Sequence, residues 1–293
     1  MVEEDREKPA ETPLPLVVAW TRSVLYGACE TLRVLEEIFF PHLCIYCGTR
    51  VDDEEVSRRA VPEVAICSDC QQRLIPPQWI GCLRCGRFEA DEFPGRRCSR
   101  CTREEFEFDA VLPFGKYQDE LRLAIFRMKT PRGEILARAL AVMFYEYRKR
   151  LLQGVRADVI VPVPMHRFYR WRRGINNPDI IADVLGEKLG LPVEKHLLHC
   201  VRMTYSQREV SMEERRQNVR GVFAADPRAQ LWTGKHALLV DDVVTTGATA
   251  SEAAMVLKRD LGFRRVSVAS IARAKGEIIP QKKATSHSPR AKK

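Results

Sequence analysis

The sequence predicts an α/β protein, in which a parallel sheet with helices on both faces follows a small cysteine-rich domain and an N-terminal amphipathic helix. Three observations lead to this prediction. Strand-like and helix-like segments alternate through the second half of the chain, eight of the ten cysteines fall into C-x-x-C pairs, and apolar residues recur at helical spacing over residues 16–40. Alternating strands and helices are typical of a parallel sheet that is buried on both faces.

The charge of the chain is concentrated at its two ends. Residues 1–13 carry five acids and two bases, whereas residues 275–293 carry six bases and one acid. Both ends are therefore predicted to be disordered tails, residues 1–15 and 276–293. The apolar run "LPLVVAW" is short and stands behind the acidic leader, a pattern that fits neither a signal peptide nor a membrane span. We expect a cytoplasmic protein.

Residues 16–40 are predicted to form the amphipathic helix, because Val17, Trp20, Val24 and Ala28 follow one another at spacings of three and four. The polar face of this helix mixes acids with bases, which argues against a membrane-surface role.

Residues 41–108 contain four C-x-x-C pairs and no long periodic segment, so this domain is organised around something other than an apolar core. Two residues between cysteines allow both thiolates to reach one tetrahedral ion, and four thiolates complete a structural zinc site. We predict two double-knuckle zinc ribbons with sequential pairing, although a cross-braced pairing and redox disulfides remain alternatives. The predicted zinc ligands are Cys44, Cys47, Cys67 and Cys70 in one site and Cys82, Cys85, Cys98 and Cys101 in the other.

Residues 109–275 are predicted to form the α/β domain. A short hairpin is expected around Leu112–Gly115 and Tyr117, followed by helical spacing over residues 121–149 that is interrupted near Thr130 and Pro131. The remaining elements are predicted in the order strand "ADVIVPVP", helix "IADVLGEKL", strand "HALLVDD", helix "ATASEAAMVLKRDL" and strand "RVSVASIAR".

The stretch "ALLVDDVVTTGATAS", residues 237–251, places two acids and a hydroxyl-rich loop between a buried strand and a helix. Backbone N–H groups, hydroxyls and a helix N-terminus together make an anion site. With acids directly before the loop, the expected ligand is a sugar phosphate, because the carboxylates would accept hydrogen bonds from its hydroxyls. A metal site at the acid pair and an ordinary strand-to-helix turn are the alternatives.

A basic segment rich in aromatic residues follows the first predicted strand of the alternating region. Open α/β sheets bind ligands at this edge, and guanidinium groups there can neutralise pyrophosphate or nucleic-acid phosphates. Aromatic residues among arginines favour stacking on bases. We predict substrate contacts from His166, Arg167 and Arg173 and nucleic-acid contacts from Arg170, Trp171 and Arg172.

The run "LLVDDVVTTGAT" resembles the phosphoribosyl pyrophosphate motif of type I phosphoribosyltransferases. The resemblance implies that Asp241 and Asp242 bind the ribose hydroxyls, and that magnesium arrives with the pyrophosphate of the substrate. It also implies that the 5′-phosphate is bound by a loop formed by Thr245, Thr246, Gly247, Ala248 and Thr249.

Four further features narrow the resemblance to the ComF family of double zinc ribbon and phosphoribosyltransferase domain proteins. They are the cysteine domain, "YQDELRLAIFRMK", "PVPMHRFYRWRRGIN" and "RMTYSQREVSMEERRQNVRGVF". The family usually has glutamine where this chain has Asn177, which puts one amide contact in doubt. The last segment corresponds to the mobile loop of phosphoribosyltransferases, so Arg202, Gln207 and Arg215 are candidate catalytic residues on a lid; a surface helix is the alternative.

The resemblance implies a protein that binds phosphoribosyl pyrophosphate or a related nucleotide and acts in DNA uptake, natural competence or single-stranded DNA handling. DNA and DNA-uptake proteins would then be its partners. Two alternatives of other classes stay open: a metabolic phosphoribosyltransferase with structural zinc ribbons, and a nucleic-acid adaptor with an inactive sugar-phosphate pocket.

Overall fold

The computed structural model describes residues 42–51, 58–76, 81–88, 98–203, 217–227 and 232–274, with the backbone alone for Ser99, Arg172 and Arg173. The helices are α1 (Ser68–Leu74), α2 (Ser99–Arg103), α3 (Asp119–Met128), α4 (Glu134–Gly154), α5 (Arg167–Arg173), α6 (Asn177–Leu189) and α7 (Ala248–Leu261). The strands are β1 (Ala110–Lys116), β2 (Val159–Pro162), β3 (Leu198–Cys200), β4 (Phe223–Ala225), β5 (His236–Val244) and β6 (Arg265–Arg273). The predicted tails and the N-terminal amphipathic helix lie outside the described residues, and the predicted domain boundaries stay a prediction.

The main sheet has the strand order β1-β6-β5-β2, and all three of its strand pairs are parallel. β6 and β5 are the two central strands of the sheet, and most of their residues are buried. Because parallel strands end at the same edge, the segments that follow β2 and β5 emerge side by side. β3 and β4 form a separate antiparallel pair.

Helices cover both faces of this sheet. Leu238 and Val240 of β5 belong to the core that includes α3, α4 and α6, whereas Ala237 and Leu239 belong to the core that includes α7. This alternation follows from the two-residue period of a strand, and both sets are apolar because neither face meets water. The predicted α/β class and parallel sheet are confirmed.

The hairpin predicted around residue 115 is wrong. Residues 110–116 form one strand, β1, which pairs with β6 from end to end. Gly115 suggested a turn, but a Cβ there would lie 2.7 Å from Leu121 Cδ2 and 3.2 Å from Pro76 Cβ. The glycine therefore permits close packing of α3 on the strand, which is a second common reason for glycine inside a strand.

The other elements agree with the predictions to within a few residues. The break near Thr130 and Pro131 separates α3 from α4, while α7 and β6 have the predicted bounds. None of the helices in the described ranges is both long enough and apolar enough to cross a membrane.

The two halves of the cysteine domain pack on different parts of the sheet domain. The first half contacts α3, where Tyr46 donates to the Glu120 carboxylate and Arg127 donates to the Tyr46 carbonyl. The second half contacts β1, because the Val111 N–H donates to the Leu83 carbonyl at 3.3 Å.

Candidate functional site

The eight paired cysteines form two groups of four in sequence order. The first group is Cys44, Cys47, Cys67 and Cys70, the second group is Cys82, Cys85, Cys98 and Cys101, and within each group all Sγ atoms lie within 4.8 Å of one another. A tetrahedral ion at the usual Zn–S distance of about 2.3 Å separates its sulfur ligands by about 3.8 Å. Sγ of Cys47 lies 3.8 Å from Sγ of Cys67, and Sγ of Cys85 lies 3.5 Å from Sγ of Cys98. Both groups fit zinc, and the sequential pairing is the one that the structure contains.

The residues around the groups support thiolate ligands. Gly48 and Gly86 follow their knuckles with φ of 80° and 71°, a region that favours glycine. The Cys67 N–H donates to Cys44 Sγ at 3.3 Å, and Arg73 donates to Cys70 Sγ at 3.0 Å. Such hydrogen bonds stabilise negatively charged sulfur and orient the ligands.

The acid pair lies inside β5 and not at its end. Asp241 pairs with Ser270 of β6, and β5 continues through Val244, two residues beyond the prediction. On the other side, β2 ends at Pro162 opposite Val240. From Asp241 onward, β5 therefore has a paired strand on one side only. This leaves a crevice at the carboxyl edge of the sheet, where open α/β proteins bind ligands.

A lysine that sequence analysis did not assign to the site lies beside the acid pair. Lys129 follows the last residue of α3, and its Nζ lies 2.8 Å from Asp242 Oδ2. Burial alone would lower the pKa of Lys129, but the carboxylates of Asp242 and Asp241 hold it above its ordinary value. Lys129 ended a segment that the family resemblance singled out, yet nothing in the sequence showed that it reaches the acid pair.

Asp241 has an unusual protonation equilibrium. Burial, and then the neighbouring carboxylate of Asp242, raise the pKa of Asp241 to about 7. The Asp242 N–H donates to Asp241 Oδ1 at 2.8 Å and partly opposes this effect. The pair therefore carries less than two full negative charges near neutral pH, and a ligand hydroxyl can find both a donor and acceptors there.

The loop after β5, which we call the Thr-Gly loop, comprises Thr245 to Thr249. Thr245 is exposed, Thr246, Gly247 and Ala248 are buried, and Thr249 is half-buried. Gly247 has φ of 83° and stands directly before α7, whose first residue is Ala248. A left-handed residue at this point turns the chain from strand to helix, and the first turn of the helix presents backbone N–H groups at the crevice.

The basic segment forms a short helix, α5, for which no secondary structure was predicted. His166 precedes the helix, and its Nδ1 accepts a hydrogen bond from the Phe168 N–H at 3.2 Å. Arg167 is exposed. Nη2 of Arg170 lies 3.2 Å from Oδ2 of Asp179 on α6. The side chains of Arg172 and Arg173 lie outside the described part, so their predicted contacts stay predictions.

Two aromatic side chains of α5 face solvent. Trp171 is 83% exposed and Phe168 is 46% exposed, with ring centroids 6.4 Å apart. Two exposed aromatic rings this close together offer a surface on which bases could stack.

The segment predicted as a lid is described only at its base. Arg202 donates to the carbonyls of Asn218 and Arg220 at 2.9 and 2.7 Å. The Gly221 N–H donates to the Glu252 carboxylate at 2.6 Å, and Glu252 belongs to α7. Arg202 therefore ties the two ends of the segment together beside α7. Gln207 and Arg215 lie outside the described residues.

The residue at the departure from the family pattern, Asn177, begins α6. Its Oδ1 is buried and has no hydrogen-bond partner among the described residues. The neighbouring Asn176 donates to Asp179 at 2.7 Å and to the Val163 carbonyl at 3.3 Å. Asn176, and not Asn177, therefore holds α6 against the end of β2.

The chain is similar to several curated proteins over most of its length. It is 30% identical to Competence protein F of Haemophilus influenzae over 239 residues, which cover 80% of this chain and 99% of that protein. It is 31% identical to DNA utilization protein YhgH of Salmonella typhimurium and 29% identical to that of Escherichia coli K12, in each case over 75% of this chain and 92% of the relative.

Similarity to solved structures is weaker. Glutamine phosphoribosylpyrophosphate amidotransferase from B. subtilis, complexed with ADP and GMP, is 24% identical over 47% of this chain and 27% of its own, with a TM-score of 0.29. Adenine phosphoribosyltransferase from Leishmania donovani is 15% identical over 50% of this chain and 72% of its own, with a TM-score of 0.23.

No protein-family model matches the chain. The match to Competence protein F nevertheless covers nearly all of that protein and four fifths of this chain. The chain belongs to the ComF family, the family of Competence protein F.

Proposed function

We propose that this chain binds phosphoribosyl pyrophosphate, or a related nucleotide, in the crevice at the carboxyl edge of the sheet. The observation that carries the proposal is the position of the acid pair and the Thr-Gly loop on one strand, β5, at the point where β2 no longer covers it. A sugar phosphate has vicinal hydroxyls at one end and an anion at the other, which matches carboxylates followed by a loop with free N–H groups.

Each part of the crevice would contact a different part of the ligand. Asp241 and Asp242 would accept hydrogen bonds from the ribose hydroxyls, while the Thr-Gly loop and the first turn of α7 would donate to the 5′-phosphate. Lys129 neutralises Asp242 in the free protein, with 2.8 Å between Nζ and Oδ2. It is therefore placed to move onto an anionic ligand once a sugar hydroxyl engages that carboxylate.

Magnesium would enter with the pyrophosphate, whose charge it neutralises. If the protein turns its ligand over, the reaction would be displacement at the anomeric carbon with pyrophosphate as the leaving group. Arg202 holds the described base of the predicted lid segment beside α7, and the lid role of this segment stays a prediction from the family resemblance.

We further propose that the chain acts in DNA uptake or in the handling of single-stranded DNA. Its relatives carry the names Competence protein F and DNA utilization protein. The observation on this chain that favours the role is α5, which combines exposed Trp171 and Phe168 with arginines. Stacking of unpaired bases on aromatic rings contributes about 1–3 kcal/mol per base and needs no particular sequence.

The ligand proposal is tested by titration calorimetry of zinc-loaded protein with phosphoribosyl pyrophosphate and magnesium. We expect binding to the unchanged chain and a loss of at least about tenfold in Asp241→Asn, since an amide NH2 group replaces one of the two oxygens that can accept from the ribose hydroxyls. Asp260→Asn is the matched control, because Asp260 lies at the opposite end of α7 and is exposed. No binding to the unchanged chain would refute the proposal.

The nucleic-acid proposal is tested by fluorescence anisotropy with a labelled oligothymidine. Trp171→Ala should weaken binding by about fivefold or more, because one stacking platform is lost. Phe126→Ala is the control, since Phe126 is 72% exposed on α3, a different helix from α5. Equal effects of the two substitutions would remove α5 from the interface, and intact strand binding in Asp241→Asn would show that the two ligands use separate groups.

A further inference from the structure

Two buried arginines donate hydrogen bonds to the carbonyl groups of Val244, Thr245 and Thr246, at the start of the Thr-Gly loop. Nη1 of Arg273 donates to the Val244 carbonyl at 2.9 Å and also to the Thr245 carbonyl. Nη2 of Arg100 donates to the Thr246 carbonyl at 2.8 Å. Three successive peptide groups are therefore held by guanidinium groups, which make stronger hydrogen bonds than neutral donors.

Both arginines connect this stretch to the second cysteine group. Arg100 belongs to α2, between Cys98 and Cys101, and it reaches Thr246 across 146 positions of sequence. Arg273 donates through Nε to the carbonyl of Cys85 at 2.7 Å. Arg100 is 7% exposed and Arg273 is 2% exposed, so water competes little for these hydrogen bonds.

The direction of the carbonyls fixes the direction of the amides. In a trans peptide the N–H points away from the preceding C=O, and the described residues contain no cis peptide. The carbonyls of residues 244–246 face Arg273 and Arg100, and that of Val244 also accepts from the Ala274 N–H at 3.0 Å, so the N–H groups of Thr245, Thr246 and Gly247 point away from these donors. No backbone carbonyl of the described loops accepts a hydrogen bond from these three groups, so they are available to an anion.

Two aromatic residues that follow the second cysteine group, Phe106 and Phe108, pack beside Gly247. The rings of Phe106 and Phe108 are stacked with centroids 4.8 Å apart, and a Cβ at Gly247 would lie 3.3 Å from Phe106 and 3.4 Å from Phe108. The Glu107 N–H donates to Ser251 Oγ in the first turn of α7 at 3.0 Å. Gly247 and the first turn of α7 are therefore in contact with the cysteine domain as well.

We propose that the second cysteine group, when it holds its metal, positions the Thr-Gly loop for anion binding, with Arg100 and Arg273 as the positioning residues. A metal held by four thiolates fixes Cys98, Cys101 and Cys85 relative to one another, and hence fixes the backbone from which Arg100 projects and the carbonyl that holds Arg273. Without the metal, the backbone that carries Arg100 and the Cys85 carbonyl that accepts from Arg273 are no longer fixed relative to each other. The identity of the anion rests on the proposed function, but the ordering of the loop does not.

The first cysteine group supplies an internal comparison. Its contacts described above go to α3 through Tyr46, Glu120 and Arg127, and not to the Thr-Gly loop. Loss of metal from the first group should therefore leave the loop ordered, whereas loss from the second group should release it.

The main test compares Arg100→Met with Arg103→Met, which change the same residue type on the same short helix and retain every cysteine. Arg103 is exposed, and Arg100 is buried against the loop. We expect both variants to keep the full zinc content of the unchanged chain by native mass spectrometry. In Arg100→Met the NMR order parameters of the Thr245–Gly247 amides should fall from about 0.85 to below about 0.6, and affinity for phosphoribosyl pyrophosphate with magnesium should fall about tenfold or more.

Unchanged order parameters in Arg100→Met would overturn the proposal, as would an equal fall in Arg103→Met. A second comparison uses Cys98→Ser with Cys101→Ser against Cys67→Ser with Cys70→Ser. Only the first pair should release the loop, and loss of loop order in both would show a general effect of metal on folding. If the unchanged chain binds no phosphoribosyl pyrophosphate, the ligand proposal fails, while the order parameters still decide whether the second group positions the loop.

Discussion

Asp241→Asn and Asp242→Asn, made as separate variants, should change the free energy of unfolding in opposite directions. Burial and the Asp242 carboxylate raise the pKa of Asp241 from its ordinary value of 3.8 to about 7, so the ionised form of Asp241 destabilises the folded chain. Asp242 instead pairs with Lys129 at 2.8 Å, and its loss leaves a two-thirds-buried lysine without that partner. Asp241→Asn should therefore stabilise the protein near pH 8.5, and Asp242→Asn should destabilise it by about 1 kcal/mol or more.

The pH dependence gives the magnitude for Asp241. The folded chain keeps the proton of Asp241 up to about pH 7, whereas the unfolded chain releases it near 3.8. The stability associated with this proton is full below about pH 3.8 and is lost as the pH rises to about 7, at about 1.4 kcal/mol per pH unit. Asparagine does not titrate, so the Asp241→Asn variant does not lose this stability as the pH rises. The stabilisation by Asp241→Asn should therefore be larger by about 1 kcal/mol at about pH 8.5 than at about pH 6.

The assay is urea unfolding of zinc-loaded protein, followed by tryptophan fluorescence at the two pH values. Comparison of each variant with the unchanged chain at the same pH cancels the effect of pH on the metal groups, which all three proteins share. A gain in Asp241→Asn that is the same at both pH values would refute the pKa argument. A stabilising Asp242→Asn would refute the role of Lys129.

Three further outcomes are expected. The chain should bind about two zinc ions, and Cys67→Ser with Cys70→Ser should leave about one, as counted by native mass spectrometry; a single ion in the unchanged chain would mean that one group is not a metal site. Gly247→Ala should weaken calorimetric binding of phosphoribosyl pyrophosphate about tenfold, because φ of 83° disfavours alanine and the new Cβ would press on Phe106; unchanged binding would mean that the loop tolerates this shift. Arg170→Ala should lower the slope of log affinity against log salt by about one for single-stranded DNA, and an unchanged slope would place Arg170 away from the phosphates.

Local spacing predicted much of the site. Two thiolates separated by two residues can reach one ion wherever the knuckle lies, so the cysteine groups follow from sequence alone, and their sequential pairing was expected from the glycines after the first and third pairs. The acid pair and the Thr-Gly loop were likewise visible, because a strand, a loop and a helix N-terminus in succession make an anion site out of consecutive residues. The bounds of α7 and β6 were also predicted, since both segments have a clear hydrophobic period.

Local patterns failed where distant packing decided the outcome. Gly115 suggested a hairpin, yet it lies in a strand because α3 packs closely on it. No secondary structure was predicted for the segment around Arg170, yet it is a helix that His166 caps and that contacts Asp179 of the next helix. In both cases the deciding contact comes from a different element, and no local period encodes it.

The sequence by itself determined the α/β class, the metal groups and the order of acids, loop and helix, because each depends on residues that are close in the chain. Only the tertiary structure decided that Lys129 reaches Asp242 and that Arg100 and Arg273 join the second cysteine group to the Thr-Gly loop. These contacts link residues that are far apart in sequence. A buried charged side chain needs carbonyl or carboxylate partners around it, and those partners come together only when the chain is folded.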